Sequence, residues 1–288
     1  MDKDFNRDML SSININFLFG SGVNGKAFGQ FDSFDETKAF LSEKLNKKIE
    51  YLEPAIDELI SSRDTKYARD IFDKEFEKKS QKIDYNHPSI ENIYKMFKEI
   101  NTIVSESENR VDYLKKVKIF TLNYDSIVEM TLQKYGYLCN VITPSNLNES
   151  RKYFDMISYD IKYKHFIPTY LVVKVHGDKG KKVLPGSFKY KDALAQNIFE
   201  LQFKMKEELL RENSLLIVIG YKGNDGDINL IINDAIAKGL TVFWYCYSDD
   251  DVACVPKEFV NKISCIEVKK EKDSTLKCAE ELGKIWEK

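Results

Sequence analysis

The chain holds 288 residues, 43% of them hydrophobic, enough to bury one large core or a core with a smaller attached module, which excludes an intrinsically disordered protein. Lys and Arg number 44 against 46 Asp and Glu, a formal net charge of -2, so there is no overall electrostatic drive toward nucleic acid or an anionic membrane, although local basic patches stay open. No apolar run approaches the ~20 residues that span a bilayer, and the opening Met1-Asp-Lys-Asp-Phe-Asn-Arg-Asp lacks the layout of a signal peptide, so the expectation is a cytoplasmic protein with no membrane segment.

From Ser12 to Leu41 the pattern is strand, glycine-rich turn, then a helix beginning near Asp35, whose Glu36 and Thr37 suit a first turn. Residues 43–112 are highly charged and helical in period, with Ile49, Leu52, Ile56, Leu59 and Ile60 on one face and Ile93, Met96, Phe97 and Ile100 on another. This stretch is expected to be a helical module inserted between the first and second strands of a sheet, serving as a contact surface or simply covering one sheet face. Beyond it the spacing predicts a strand at 117–122, a helix at 125–135 and a short strand at 138–143, then an irregular tyrosine-rich segment to 168. A strand at 170–175, a helix at 191–212, a strand at 215–219, a helix at 227–238, strands at 240–247 and 263–268 and a helix at 274–286 complete the order. Strands that alternate with helices require right-handed crossovers and a parallel sheet. The expected fold is therefore α/β: a Rossmann-like, mainly parallel sheet with helices on both faces and an inserted helical module, as a single domain over 1–288.

The five cysteines, at 139, 246, 254, 265 and 278, form no Cys-x-x-Cys pair and are odd in number, which argues against a disulfide framework or a structural zinc. Their expected state is reduced and mostly buried.

Three apolar strands end abruptly in small or polar residues: Phe17-Leu-Phe-Gly20-Ser21-Gly22-Val23-Asn24, Phe120-Thr-Leu-Asn123-Tyr124-Asp125, and Val173-Lys-Val-His176-Gly-Asp178. In an open α/β sheet the carboxyl ends of the strands line the ligand crevice, so these residues converge there. Gly20-Ser-Gly-Val-Asn-Gly25-Lys26-Ala27 nearly spells a phosphate-binding loop, but Ala27 stands where a magnesium-ligating hydroxyl belongs. In a second reading Gly20 and Gly22 let the backbone approach a pyrophosphate, whose charge the next helix's N–H groups stabilise; an ordinary glycine turn is a third. His176, exposed at a strand tip by the following glycine, is expected to accept a proton near neutral pH, or merely to hydrogen-bond there. Asn123 offers a carboxamide that can hold a hydroxyl or a water, while Asp125 suits either a ligand or a helix cap. Gly220-Tyr221-Lys-Gly-Asn-Asp225-Gly-Asp227 follows the strongest strand, where capping alone would explain at least one aspartate. His87 and His165 read as solvated loop residues.

In this order the tags resemble the sirtuin family, and especially its bacterial sirtuin-like branch in antiphage defence, over about residues 13–250. The resemblance implies that Gly20, Ser21, Gly22, Val23 and Asn24 cradle the pyrophosphate of NAD+, that Asn123, Tyr124 and Asp125 address the nicotinamide ribose and its water, and that His176 is the general base. Gly220, Tyr221 and Asp225 would border the adenosine half. Two features of protein-deacylating sirtuins are missing: the zinc-binding Cys-x-x-Cys pairs, and the Ile-Pro-Asp-Phe-Arg after the first turn, replaced here by Ala27-Phe-Gly-Gln-Phe-Asp-Ser33, with Phe31 or Phe34 left as the candidate nicotinamide contact. The implied reaction is hydrolysis of NAD+ to nicotinamide and ADP-ribose, with NAD+ as substrate and neither zinc nor another metal. The implied setting is a homo-oligomer acting with a separately encoded HerA-type ATPase or an Argonaute. A non-catalytic NAD or ADP-ribose sensor and a nucleic-acid-processing subunit are the competing classes.

Overall fold

The computed structural model describes residues 6–29, 33–59, 65–106, 110, 115–154, 159–160, 165–166, 168–179, 182, 195–247, 263–268 and 273–284. The chain opens with α1 (Arg7–Ser12), β1 (Asn14–Phe19) and a single 3-10 turn at Ser21–Asn24, then runs through α2 (Asp35–Leu45), α3 (Leu52–Leu59), α4 (Thr65–Ser80) and α5 (Pro88–Glu106) before β2 (Lys116–Thr121). It continues with α6 (Ile127–Lys134), β3 (Leu138–Ile142), α7 (Leu147–Ser150), the short strands β4 (Tyr159–Asp160) and β5 (His165–Phe166), and β6 (Thr169–Lys174). The remainder is α8 (Ala195–Leu209), β7 (Ser214–Ile219), α9 (Gly226–Ala237), β8 (Thr241–Cys246), β9 (Ile263–Glu267) and α10 (Ser274–Gly283).

Seven strands form one sheet in the order β3-β6-β2-β1-β7-β8-β9, and every neighbouring pair is parallel. The strands β1, β2, β6 and β7 are buried along their whole length, as central strands covered on both faces must be. Side chains alternate between two cores: Phe17, Phe19, Ile217 and Ile219 join α4, α5, α6 and α10 on one face, while Leu18, Leu216 and Val218 join α8 and α9 on the other. The expected Rossmann-like architecture is the one observed.

The helices α2 to α5 lie in the chain between β1 and β2, as the helical period of 43–112 requires. Leu52, Phe72, Phe76, Met96 and Phe97 belong to the same core as the sheet, so these helices cover a sheet face and share its hydrophobic interior. α2 begins without a capping side chain of its own, at Phe34. Its first N–H groups are satisfied from α4: Glu75 accepts from Glu36 N at 3.3 Å, Thr37 N at 2.8 Å and the Thr37 hydroxyl at 2.8 Å. The tyrosine-rich segment is less irregular than expected, since α7 and the β4–β5 hairpin occupy it. Two-residue strands are too short to leave a period of two in the sequence. The one-and-a-half-turn α1, capped by Asn6 accepting from Met9 N at 2.7 Å, is equally short and went unforeseen.

Among the described residues no helix is long and apolar enough to cross a membrane. Cys139, Cys246, Cys265 and Cys278 are free thiols, and burial pushes those of Cys139 and Cys278 up to about 12. Cys265 is exposed, against the expectation of general burial, because it sits on the edge strand β9. Cys254 lies outside the described residues.

Candidate functional site

The carboxyl ends of β1, β2, β6 and β7 stand side by side, and hydrogen bonds extend their pairing past the strands proper. Leu122 N donates to Phe19 O at 2.9 Å, Val175 N to Thr121 O at 3.0 Å and Gly20 N to Ile219 O at 3.1 Å. Gly20 thus closes one continuous ladder, and Asn123, His176 and Gly220 are the first residues beyond it, at the edge where open α/β sheets bind ligands.

The loop after β1 packs backbone to backbone on the loop after β7. Gly22 N donates to Gly220 O at 3.0 Å, and a Cβ on Gly22 would stand 2.8 Å from the Gly220 Cα. Gly220 has φ +67°, a left-handed conformation that a side chain disfavours, and has no room for one against Val23 N. The missing side chains of these glycines let two loops of the protein approach each other. The N–H of Val23 is likewise committed, to Gly20 O at 3.1 Å, and its side chain is fully buried in the core. The anticipated helix dipole is not at hand either. The turn runs into a single 3-10 turn, and the α2 N-terminus carries the Glu75 carboxylate where an anion would sit.

Across a narrow cleft from this loop lies the Asn123-Tyr124-Asp125 turn. The cleft is lined by Ser21, Asn24, Phe28, Gly29, Phe76, Asn123, Tyr124 and Asp125. Asn123 donates through Nδ2 to Gly20 O at 3.0 Å, and Asn24 donates through Nδ2 to Asp125 Oδ2 at 2.7 Å. Asp125 also caps α6, its Oδ1 accepting from Ile127 N at 3.0 Å, so the ligand and cap readings of this aspartate coexist in one side chain. The buried Asn24 Oδ1 has no hydrogen-bond partner among the described residues, an acceptor left for a polar group entering the cleft.

Beneath the turn lies a residue the sequence reading passed over. Lys174, the last residue of β6, is almost fully buried; its ammonium donates to Asn123 O at 3.3 Å and to Asp125 O, and pairs with Glu129 Oε1 at 3.0 Å. It pins the Asn-Tyr-Asp turn from below. The charge around this floor shows in its neighbours: burial, then Asp125 and Glu129, holds the Tyr85 hydroxyl above its ordinary range. A lysine inside an otherwise apolar strand two residues before His176 was the available signal. Phe28 and Phe76 were also missed as cleft residues. Phe76 comes from α4, far away in sequence, and only packing brings it there. Phe34 is fully buried and stacks on Phe72 at 5.1 Å, behind the cleft wall, and Phe31 lies outside the described residues.

His176 departs from expectation in two ways. It is only 5% exposed, not displayed at the strand tip, because the loop after β7 folds back over it. Its Nε2 stands 3.2 Å from Asp225 Oδ2, and it is not among the residues lining the Asn123 cleft. Asp225 caps α9 as its position suggested, accepting from Ile228 N at 3.3 Å. Tyr221 is buried too, stacked on Trp244 with ring centroids 5.7 Å apart, its hydroxyl donating to Asn229 Oδ1 at 2.8 Å and accepting from Asp225 N at 3.0 Å. It braces the loop.

A family profile described as a SIR2-like domain matches residues 117–265, more than half of the chain. The chain belongs to the SIR2-like family. The matched span holds Asn123, Tyr124, Asp125, His176, Gly220, Tyr221 and Asp225, whereas the loop at 20–24 precedes it. One solved structure, reported under the words "Structural Basis for the Mechanism and Regulation of Sir2 Enzymes", is similar at 12% identity and a TM-score of 0.42, with 98% of this chain and 97% of that chain covered. A likeness that distant carries no weight for the site. No curated protein matches the chain.

Proposed function

We propose that this SIR2-like protein binds NAD+ at the tips of β1, β2, β6 and β7 and hydrolyses its nicotinamide–ribose bond, giving nicotinamide and ADP-ribose. The observation that carries the reading is the paired turn: Asn123 on Gly20 O and Asp125 on Asn24, facing one cleft, with the Asn24 Oδ1 left without a partner among the described residues. Membership of the SIR2-like family supports NAD+ as the ligand, since Sir2 enzymes are NAD-dependent.

With Nδ2 held on Gly20 O, the Asn123 Oδ1 is the atom that accepts a hydrogen bond from the attacking water or a ribose hydroxyl. The Asp125 carboxylate supplies negative charge beside the cationic ring, and the rings of Phe28, Phe76 and Tyr124 supply the apolar wall. Cleavage passes through an oxocarbenium-like ribose: the C–N electron pair leaves with nicotinamide, which becomes neutral and needs no general acid. The water oxygen bonds to the ribose carbon and its proton goes to His176, which stands outside the cleft lining at the tip of β6, the strand beside β2. Absence of the zinc-binding Cys-x-x-Cys pairs from the sequence argues for hydrolysis over protein deacylation.

The resemblance to the defence branch further supports a role as the toxic effector of a prokaryotic antiphage system, as a cytoplasmic homo-oligomer controlled by a separately encoded HerA-type ATPase or Argonaute. Incubation with NAD+, with and without such partners, followed by mass spectrometry of nicotinamide and ADP-ribose tests the reaction. Wild type is expected to form both products, and Asn123→Ala and His176→Ala to form neither while remaining folded. Uptake of NAD+ in a calorimeter without product would instead make the protein a sensor, and no uptake would end both readings.

A further inference from the structure

We propose that Asp225 is the positioning residue for His176, fixing the imidazole with its proton on Nε2 and stabilising the charge the ring gains on proton uptake. The inference rests on the hydrolase reading above and assigns Asp225 a task at the reacting end, in place of a contact to the adenosine half.

Helix capping accounts for one oxygen of this carboxylate, Oδ1 on Ile228 N at 3.3 Å. Serine, threonine or asparagine would cap as well. The second oxygen, Oδ2, stands 3.2 Å from His176 Nε2, and the side chains of the pair are only 6% and 9% exposed. The pairing is not a product of chain proximity: β6 and β7, which carry the two loops, are separated in the sheet by β2 and β1. The loop is braced to hold it. Tyr221 receives the Asp225 N–H at 3.0 Å, and its own carbonyl receives the Trp244 Nε1–H at 3.2 Å, so the aspartate's backbone is tied to a ring stacked in the core. A carboxylate on one imidazole N–H fixes the tautomer and stabilises the imidazolium formed on proton uptake, and burial strengthens both effects.

The test compares Asp225→Asn and Asp225→Ser with wild type. Both substitutes keep a helix-capping oxygen, and thermal melts confirm folding. In Asp225→Asn the amide oxygen stays on Ile228 N and the amide N–H2 faces Nε2, which must then accept, moving the ring proton to Nδ1. Long-range 1H–15N NMR reads this directly: the chain has three histidines, and the signal lost in His176→Gln identifies the right one. Expected are an Nε2–H tautomer in wild type, an Nδ1–H tautomer in Asp225→Asn, and kcat for nicotinamide release lowered on the order of 100-fold in both variants with KM for NAD+ nearly unchanged. Wild-type kcat in both variants, or a wild-type proton on Nδ1, overturns the proposal. So does a raised KM with unchanged kcat and tautomer, the signature of an adenosine contact. If wild type releases no nicotinamide but the tautomer still moves with Asp225→Asn, the hydrolase reading falls and the pairing stands.

Discussion

Single atoms decide the most at Gly220 and Asn24. Gly220→Ala places a methyl group on the backbone of Val23 at a φ of +67°. We expect it to cost about 2–4 kcal/mol in urea unfolding, because the neighbours are main chain and cannot rotate away. Asn24→Leu removes the amide that holds Asp125 and the unpartnered Oδ1 together. Its expected mark is a KM for NAD+ raised at least tenfold in steady-state assays, with folding kept. At this scale the residue types at strand tips were legible without coordinates, since Asn123 is an unusual ending for an apolar strand and Asp125 and Asp225 are preferred starts for a helix. The use of each was not. Asp225 reads locally as a cap, and the atom it faces, His176 Nε2, arrives from a strand two places beyond the neighbouring one.

Among the elements, two devices tie one element to another. Glu75 of α4 caps α2, and Glu75→Ala should lower stability by about 1–3 kcal/mol, measured by denaturant melts, since it strips the acceptor from the buried Thr37 N–H and hydroxyl and from the half-buried Glu36 N–H. Lys174 of β6 braces the turn after β2 against Glu129 of α6. Lys174→Ala is expected to cost about 3–5 kcal/mol, and Lys174→Met combined with Glu129→Leu distinctly less, because removing one partner strands a buried charge whereas removing both leaves an apolar contact. A double-mutant cycle reads the difference. The long helices could be drawn from periodicity, because Ile90 to Val104 repeat an apolar pattern long enough to show a period of 3.6, and the buried strands from short continuous apolar runs bounded by turn residues, such as Leu215 to Ile219 before Gly220. The β4–β5 hairpin and α1 are too short to carry any period, and the Glu75 cap is a contact between elements that local sequence does not encode.

Over the whole molecule, the helices between β1 and β2 reach the site through Phe76. Its ring lies in the core of α2 and α4, lines the cleft, and is covered on another side by the Lys182 ammonium 4.8 Å from its centroid, itself paired with Asp73 at 2.9 Å. Phe76→Ala should therefore act at two levels, losing about 3–5 kcal/mol of stability and raising KM for NAD+ more than it lowers kcat, as calorimetry and steady-state kinetics would show together. The order of strands across the sheet is what makes one site of distant segments: β1 at the centre, with β2 and β6 on one side and β7 on the other, gathers positions 20, 123, 176 and 220 onto one edge.

Alternation of apolar strands with amphipathic helices was sufficient to determine a parallel α/β sheet, because burial on both faces demands strands apolar throughout and helices apolar on one stripe. The polar residues at the strand ends also determined which edge would carry the candidate site. Which of those residues meet was decided by tertiary structure alone. Contacts such as His176 with Asp225 and the hydrogen bond from Asn123 to Gly20 form between chain segments 49 and 103 residues apart, and their geometry depends on strand order and loop packing, which no local pattern of side chains specifies.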